Sequence, residues 1–396
     1  MDFDDVVIGS GMSALGVVLG LDAQRRVLVL GGPAQGEYSY YDSRQTVPCA
    51  YLGFGGLGND WHGVIPTGLR ANFGAAEEAD FAELFAHFYP YAEVRSRLGS
   101  GWLFVPWRAI RPPKELARIA SSRVGALTIL PQLAKAFRVQ DRGVEVSVAN
   151  ATYRARRVWV AAGALHTPGL LERSLGVRVR RDVVSDHVLC YVGQVTGQET
   201  PAITRTRDGM FVPATYGSDD CGLYTRRPAR FAFRRLDYGI EQRAVFGLPT
   251  GNAIKKIMRR MSPGLLAEAF YNRFGVFAGA DMYTVYAQVH VKDAYAMREG
   301  PTPLEIRPES IRAATDIART HQPFEGLTAS RLPEINIQGI HLHHSVDLDA
   351  LAKAGVNSTD SPVQVVDASI LSDIGPDHHT FKMLALARKR AQLAPG

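Results

Sequence analysis

Cysteine is scarce in this chain: three in 396 residues, at Cys49, Cys190 and Cys221, far apart and without a CxxC pair. An odd number of scattered thiols argues against a disulfide framework and fits a reducing compartment with plain buried thiols. No apolar run reaches the roughly 18 residues that a membrane-spanning helix needs. The stretch that most resembles a secretory leader, Val6 to Leu21, is flanked by Asp2, Asp4 and Asp5 and interrupted by glycines, the reverse of a leader's basic flank. Lysine is rare and arginine common within a net charge of +6, yet no basic block is long enough to argue for nucleic acid. Internal repeats and low-complexity linkers are lacking too. The expectation is a protein of the cytoplasm with neither membrane span nor nucleic-acid partner.

What is present is apolar and ordered. Hydrophobic residues make up 46% of the chain and charged residues 21%, enough to bury a sizeable core, and the length suggests two or three domains. The start reads as strand (3–8), tight turn, helix (12–22) and strand (26–30), half of a parallel α/β unit. Residues 33–70, rich in Gly, Tyr and Pro, read as an extended loop, and 75–98 as a helix with Phe81, Leu84 and Phe85 at helical spacing. A buried strand at 155–160 runs into a helix beginning near Thr167. The middle, 186–335, is aromatic and Arg-rich, with mixed periodicity, and reads as α+β. Order returns with a strand at 363–367 and a helix from about Pro376 to Ala391.

Gly9, Gly11 and Ala14 form the pattern G-x-G-x-x-A between an apolar strand and a helix. Gly9 suits the tight turn and Gly11 lets the backbone approach a pyrophosphate. Ala14 lets helix and strand pack closely, while the helix N-terminus attracts the anion. A dinucleotide is the expected ligand. One element of such sites is missing: the second strand ends in Gly31, where an acid usually binds the ribose, and no carboxylate follows until Glu37. The stretch "VWVAAGALHTPGLL" (158–171) carries Ala161, Ala162, Gly163 and Ala164, four small residues that let backbone lie against a flat group.

"RRVWVAAGALHTPGLLERSLG" resembles the A-A-G-A-x-x-[ST]-P-x-L-L-x-x-S segment of the glucose–methanol–choline (GMC) flavoprotein oxidoreductases. "VQVVDASILSDIGPDHHTFKMLALARKRA" is similar to their C-terminal ending, and "FGGLGNDWHGVIP" (54–66) to their Gly-Gly-x-Ser-x-x-W-x-G segment beside the flavin. Together with the N-terminal turn, four segments match in order, over about a third of the chain. The resemblance is to a short and diverged member. It implies FAD as cofactor and a Rossmann-like α/β FAD-binding domain made of 1–72, 125–185 and 336–396. An α+β substrate or cap domain, 73–124 and 186–335, is inserted into it. It implies cofactor contacts at Asp367, at Gly55, Gly56 and Asn59, and at Ala162 and Gly163. Gly58 stands where the family has serine. The family's active-site pair falls on His341 and His378, with His344 and Ser345 in place of a Gly-Thr. The neighbouring His379 is assigned to the cofactor. His62 and His166 fall inside otherwise matching segments.

The chemistry follows independently of the family. Hydride transfer from an alcohol carbon needs a base for the hydroxyl proton, and imidazole has the nearest pKa. A histidine at a helix N-terminus feels positive potential, which favours its neutral form. His341 is the expected base and His378 the substrate-oxygen partner, with the reverse assignment as the alternative. The expected reaction is oxidation of a C–OH group of a small or medium, partly apolar substrate. The electrons pass on to oxygen or another carrier. Three rivals remain: another flavin reaction, such as desaturation, decarboxylation, isomerisation or oxygenation; a cofactor-free scaffold, which Gly31 favours; and a metal site built on the H-x-H of His341 and His343. No metal is assigned. His343 and His344 are expected to be partly exposed.

Overall fold

Val6–Ile8 and Val27–Leu30 show no alternation, because every one of these residues is buried. Strands of that kind need cover on both faces, the situation of a central parallel sheet. The computed structural model describes residues 2–41, 48–61, 63–67, 75–90, 101–105, 108–196, 204–205, 207–218, 221–228, 282–298, 303–320, 328–338, 341–358 and 360–394. In chain order the N-terminal part runs β1 (Phe3–Ile8), α1 (Met12–Gly20), β2 (Val27–Leu30), β3 (Glu37–Tyr40), β4 (Pro48–Leu52), a 3₁₀ turn (Gly56–Asn59), β5 (Val64–Pro66), α2 (Ala75–Phe88), β6 (Gly101–Phe104), α3 (Pro112–Ser122), β7 (Leu127–Leu130), β8 (Ala136–Gln140), β9 (Gly143–Ser147), β10 (Thr152–Val160) and α4 (Thr167–Leu175). It continues with β11 (Val183–Thr196), β12 (Thr204–Arg205), β13 (Met210–Ser218), β14 (Cys221–Pro228), β15 (Met282–Met297), β16 (Leu304–Ile306), α5 (Pro308–Thr320), β17 (Thr328–Gln338), α6 (Leu348–Lys353), β18 (Val363–Val365), a 3₁₀ turn (Ala368–Ile370) and α7 (Thr380–Leu393).

Two large sheets result. The first has the order β7-β2-β1-β10-β9-β8, with β18 also on β10. Strands β7, β2, β1, β10 and β18 are parallel, and β9 and β8 close one side as an antiparallel pair. One face is covered by α1, α2 and α7, through Leu15, Val18, Phe81, Phe381 and Leu384. The other carries Leu170 and Leu171 of α4 and Leu351 of α6. Each such side chain contributes about 1.5–3 kcal/mol on burial. This is a mixed α/β, Rossmann-like fold, as expected. The second sheet, antiparallel, has the order β17-β11-β15-β14-β13-β6-β5, and α5 packs on it through Ala314 and Ala318.

Some elements differ from the sequence expectation. The loop expected at 33–70 contains the hairpin β3–β4, held by Tyr38 against Tyr51 with ring centroids 4.5 Å apart. Aromatic residues on a half-buried ribbon favour strand pairing. α1 ends at Gly20. α2 ends at Phe88, and residues 91–98 of the expected helix lie outside the described residues. α7 begins at Thr380, four residues later than expected, because the preceding carbonyls are used elsewhere. The Gly375 oxygen faces His187 Nε2 at 2.6 Å, and the Pro376 oxygen accepts from Gln288. Among the described residues no helix is long and apolar enough to cross a membrane.

Candidate active site

At the carboxyl ends of β1, β2 and β10 lies a cavity of about 530 Å³. Open α/β sheets place ligands at this edge. Gly9, Gly11, Gly56, Ala162, Gly163, Asp367, His341 and His379 all line it. Ala14, Gly55, Asn59 and His378 are not among the lining residues. His62 is outside the described residues.

The Gly9 turn is dictated by contact. Its φ is +117°, and a Cβ there would sit 2.1 Å from the Ala161 carbonyl oxygen. Gly11 is the N-cap of α1, with no side-chain cap and no acid in the first turn, so neither the cap nor the helix's own first turn sets a carboxylate beside its leading N–H groups. Ala14 is fully buried in the core beneath. Ser10, a variable position of the motif, ties three segments together: its hydroxyl donates to the Gly31 carbonyl at 2.7 Å and accepts the Gly55 N–H at 2.7 Å. Gly55 has φ +92° and lies under the Asn59 amide, which donates to the Phe54 carbonyl at 2.7 Å. Asn59 thus clamps the turn. At Gly58, Pro112 occupies the space a side chain would need.

The missing ribose acid has a steric cause. A Cβ on Gly31 would lie 2.3 Å from the Phe54 ring and 3.1 Å from the Ser10 Cβ. Glu37 is exposed, at the start of β3. Instead, two arginines that sequence reasoning passed over, Arg173 and Arg180, line the same cavity. Asp367 is 3% exposed; its carboxylate accepts from Gly163 N–H (2.8 Å), the Thr167 hydroxyl (2.6 Å) and Ser369 N–H (3.0 Å). It joins the end of β18 to the start of α4.

Around the far wall stand six histidines, two of them, His187 and His290, not anticipated. His187 on β11 lies with its ring 5.5–6.5 Å from those of His290, His341, His343, His378 and His379. His378 Nδ1 is 3.4 Å from His341 Nε2, and His290 Nε2 is 3.0 Å from His343 Nε2. Burial pushes His341 down to about 4 and His343 down to about 3. His187 and His379 are also held well below the ordinary value, by burial first and neighbouring imidazoles second. His187, His341, His343 and His379 are therefore neutral at pH 7, the form a proton acceptor requires. Among the described residues no three imidazole, thiol or carboxylate groups converge to hold a metal ion.

The expectation for His343 is corrected. It is fully buried, because the bridge between Ser185 and His343 draws it under the second sheet, where it meets His290. His344 is partly buried, with φ +55°, and its Nδ1 lies 2.8 Å from Arg181. A left-handed φ is where a glycine would be at ease, and His344 adopts it.

Beneath His341 is a buried acid, Asp186, which nothing in the sequence singled out. It accepts the His341 N–H at 3.1 Å, the His187 N–H at 2.8 Å and the Tyr41 hydroxyl at 2.8 Å. Burial raises it to about 8, the hydrogen bonds pulling the other way.

A dinucleotide cofactor can be tested against these residues. Four buried nitrogens on the cavity wall have no partner: His166 Nε2, Arg180 Nε, His341 Nδ1 and His379 Nδ1. Buried polar atoms are ordinarily satisfied, so the wall is made for a polar occupant. With the uncapped α1 and the glycine cradle, it suits a phosphate-bearing molecule with a flat ring.

The fold has solved counterparts. Pyridoxine 4-oxidase from Mesorbium loti matches at 14% identity and TM-score 0.51, over 98% of each chain. An FAD-dependent oxidoreductase from Chaetomium thermophilum (13% identity) and a fungal aryl-alcohol oxidase (12%) each match at TM-score 0.48 over 99% of this chain and 98% of theirs. No family model matches the sequence, and no curated protein matches it. The fold thus defines a Rossmann-like α/β protein of the architecture seen in the pyridoxine oxidase.

Proposed function

We propose that the cavity holds FAD and that the chain oxidises a C–OH group of a small or medium, partly apolar substrate to a carbonyl. Bound there, FAD would supply the hydride acceptor. The chain's own residues do the rest. The N–H groups opening α1 hold the pyrophosphate, assisted by the positive charge of Arg173 and Arg180. Ala162 and Gly163 leave room for a flat group, and Asp367 fixes the turn that carries them.

His341 takes the hydroxyl proton. It lines the cavity, it is neutral, and its Nδ1 has no protein partner. His378 stands beside it, behind the cavity lining, and shares that proton through the 3.4 Å contact, so that it acts on the substrate oxygen by way of His341. Asp186 holds the His341 backbone in place. The observation that carries the reading is that the opening of α1 and His341 border one cavity. The GMC resemblance supports it. The two sheets support a division into a FAD-binding part and an inserted substrate part.

The test is anaerobic mixing of the FAD-loaded protein with a panel of alcohols, following flavin bleaching. An alcohol that bleaches the parent protein should leave His341→Ala and His378→Ala coloured, with flavin retained. Bleaching at the parent rate in both variants would overturn the assignment.

A further inference from the structure

The segment that carries His378 has no ladder of its own. Between the 3₁₀ turn at Ala368–Ile370 and α7, residues 371–379 form neither strand nor helix. The His379 side chain makes no capping bond to α7, and the helix has no acid in its first turn. Side chains on irregular backbone are placed less tightly than those on helices and strands, unless something outside the segment holds it.

Here the second sheet holds it. Three consecutive residues are each bound by a different strand. The Gly375 carbonyl faces His187 Nε2 of β11 at 2.6 Å, and the Pro376 carbonyl accepts from Gln288 Nε2 of β15 at 2.8 Å. The Asp377 carboxylate accepts from Trp102 Nε1 of β6 at 3.2 Å. All three donors are buried. A carbonyl only accepts, so His187 carries its proton on Nε2. His187 lies opposite His290 in the β11–β15 register, which puts it on one face of the sheet with Gln288, two residues before His290. The Trp102 ring also stands edge-on to the His378 ring, with centroids 5.5 Å apart and planes at 84°. None of the three donors lines the proposed cofactor cavity.

We propose that His187, Gln288 and Trp102 are positioning residues: they fix the 375–377 turn so that His378 Nδ1 meets His341 Nε2 at 3.4 Å. The proposal rests on the reading of His341 as the base. At 3.4 Å the two nitrogens stand at the edge of hydrogen-bonding reach, so a small drift of the turn parts them. Proton sharing between the two rings thus depends on strands that touch neither substrate nor cofactor. Loss of a donor should slow the chemical step and leave substrate affinity alone.

The variants are Gln288→Met, of similar length without the donor; His187→Leu; and His187→Gln, whose amide N–H replaces Nε2–H. Two measurements are made on protein held with excess FAD. The first is amide hydrogen exchange by mass spectrometry. Gln288→Met and His187→Leu should exchange about tenfold faster across 375–383, because each leaves a buried carbonyl unpaired. Residues 6–20 should keep the parental rate. The second is anaerobic flavin bleaching by an alcohol that bleaches the parent. Both variants should lower the limiting rate about tenfold, the cost of a slightly misplaced group, with the half-saturating alcohol concentration unchanged. Trp102→Phe should act in the same direction, and His187→Gln should restore most of the rate and the parental exchange. If His187→Leu does not fold, Gln288→Met decides. Parental exchange across 375–383, or exchange raised equally at 6–20, would overturn the proposal. So would a parental limiting rate in a variant whose turn has loosened. If no alcohol bleaches the parent, the redox reading fails, and the exchange pattern alone decides whether these residues hold the turn.

Discussion

The backbone N–H of His341 donates to the Asp186 carboxylate across 3.1 Å, and both residues are buried. The proposed base is thus positioned through its main chain by an acid 155 residues earlier in sequence. Asp186→Asn keeps an oxygen for the two N–H donors, so it should fold within about 1 kcal/mol of the parent at pH 7. Asp186→Ala strands the Tyr41 hydroxyl and two N–H groups and should lose about 3 kcal/mol or more. Denaturant midpoints distinguish the two. Equal losses would show that the acid does not hold this region by hydrogen bonding.

The same residues set a stability optimum in pH. His341 and His343, buried neutral with pKa about 4 and about 3, bind fewer protons folded than unfolded once pH falls below the ordinary value near 6.5. Their stabilising contribution is complete above 6.5 and is lost progressively towards 4, and His187 and His379 act in the same direction. Asp186, raised to about 8, has the opposite sign: its contribution is complete below about 3.9 and is lost as pH rises to 8. Stability should peak near pH 6.5 and fall by about 1–2 kcal/mol per buried ring at pH 5. In Asp186→Asn the decline from pH 6.5 to 8 should flatten. A rising stability between pH 6.5 and 5 would contradict the neutral-imidazole cluster.

Gly31 gives a steric prediction. Introducing the missing acid as Gly31→Glu should weaken folding by about 1–3 kcal/mol, because the Phe54 ring occupies its path. It should not tighten dinucleotide binding. Pairing it with Phe54→Ala should recover part of the loss. Thermal melts and an FAD titration check both points, and a tighter-binding Gly31→Glu would show that the position is a vacant ribose site after all.

How much of this was legible beforehand differs by element. The first strand and its glycine turn are legible, because a buried parallel strand and a tight turn leave local signatures in the sequence; Asp367 stands out only through the family resemblance. The hairpin at 37–52 was missed because its pairing depends on tyrosines meeting across the strands. Asp186, His187 and His290 carry no local mark. They come from long antiparallel strands whose register alone sets them beside His341, a relationship no window of sequence contains. His343 was misjudged for the same reason: the strand that buries it is more than 150 residues away. At Gly31 the sequence shows only that the ribose acid is missing; the Phe54 ring that fills the space comes from another loop and leaves no mark beside it.

The glycines facing α7 offer a further check. A Cβ on Gly16 would meet the Leu384 carbonyl oxygen at 2.3 Å, and one on Gly20 the Arg388 carbonyl oxygen at 2.3 Å. Gly16→Ala gains helix propensity of up to about 1 kcal/mol, yet overpacking should cost about 1–3 kcal/mol and lower the melting temperature. An unchanged or raised melting temperature would mean that α1 and α7 can move apart freely.

Binding of FAD is tested most directly by one spectrum. After incubation with FAD and removal of unbound cofactor by gel filtration, the protein should keep about one flavin per chain, with the absorption bands of bound oxidised flavin. Gly9→Ala, whose Cβ would strike the Ala161 carbonyl, should not. A folded parent protein that emerges colourless would contradict the central claim.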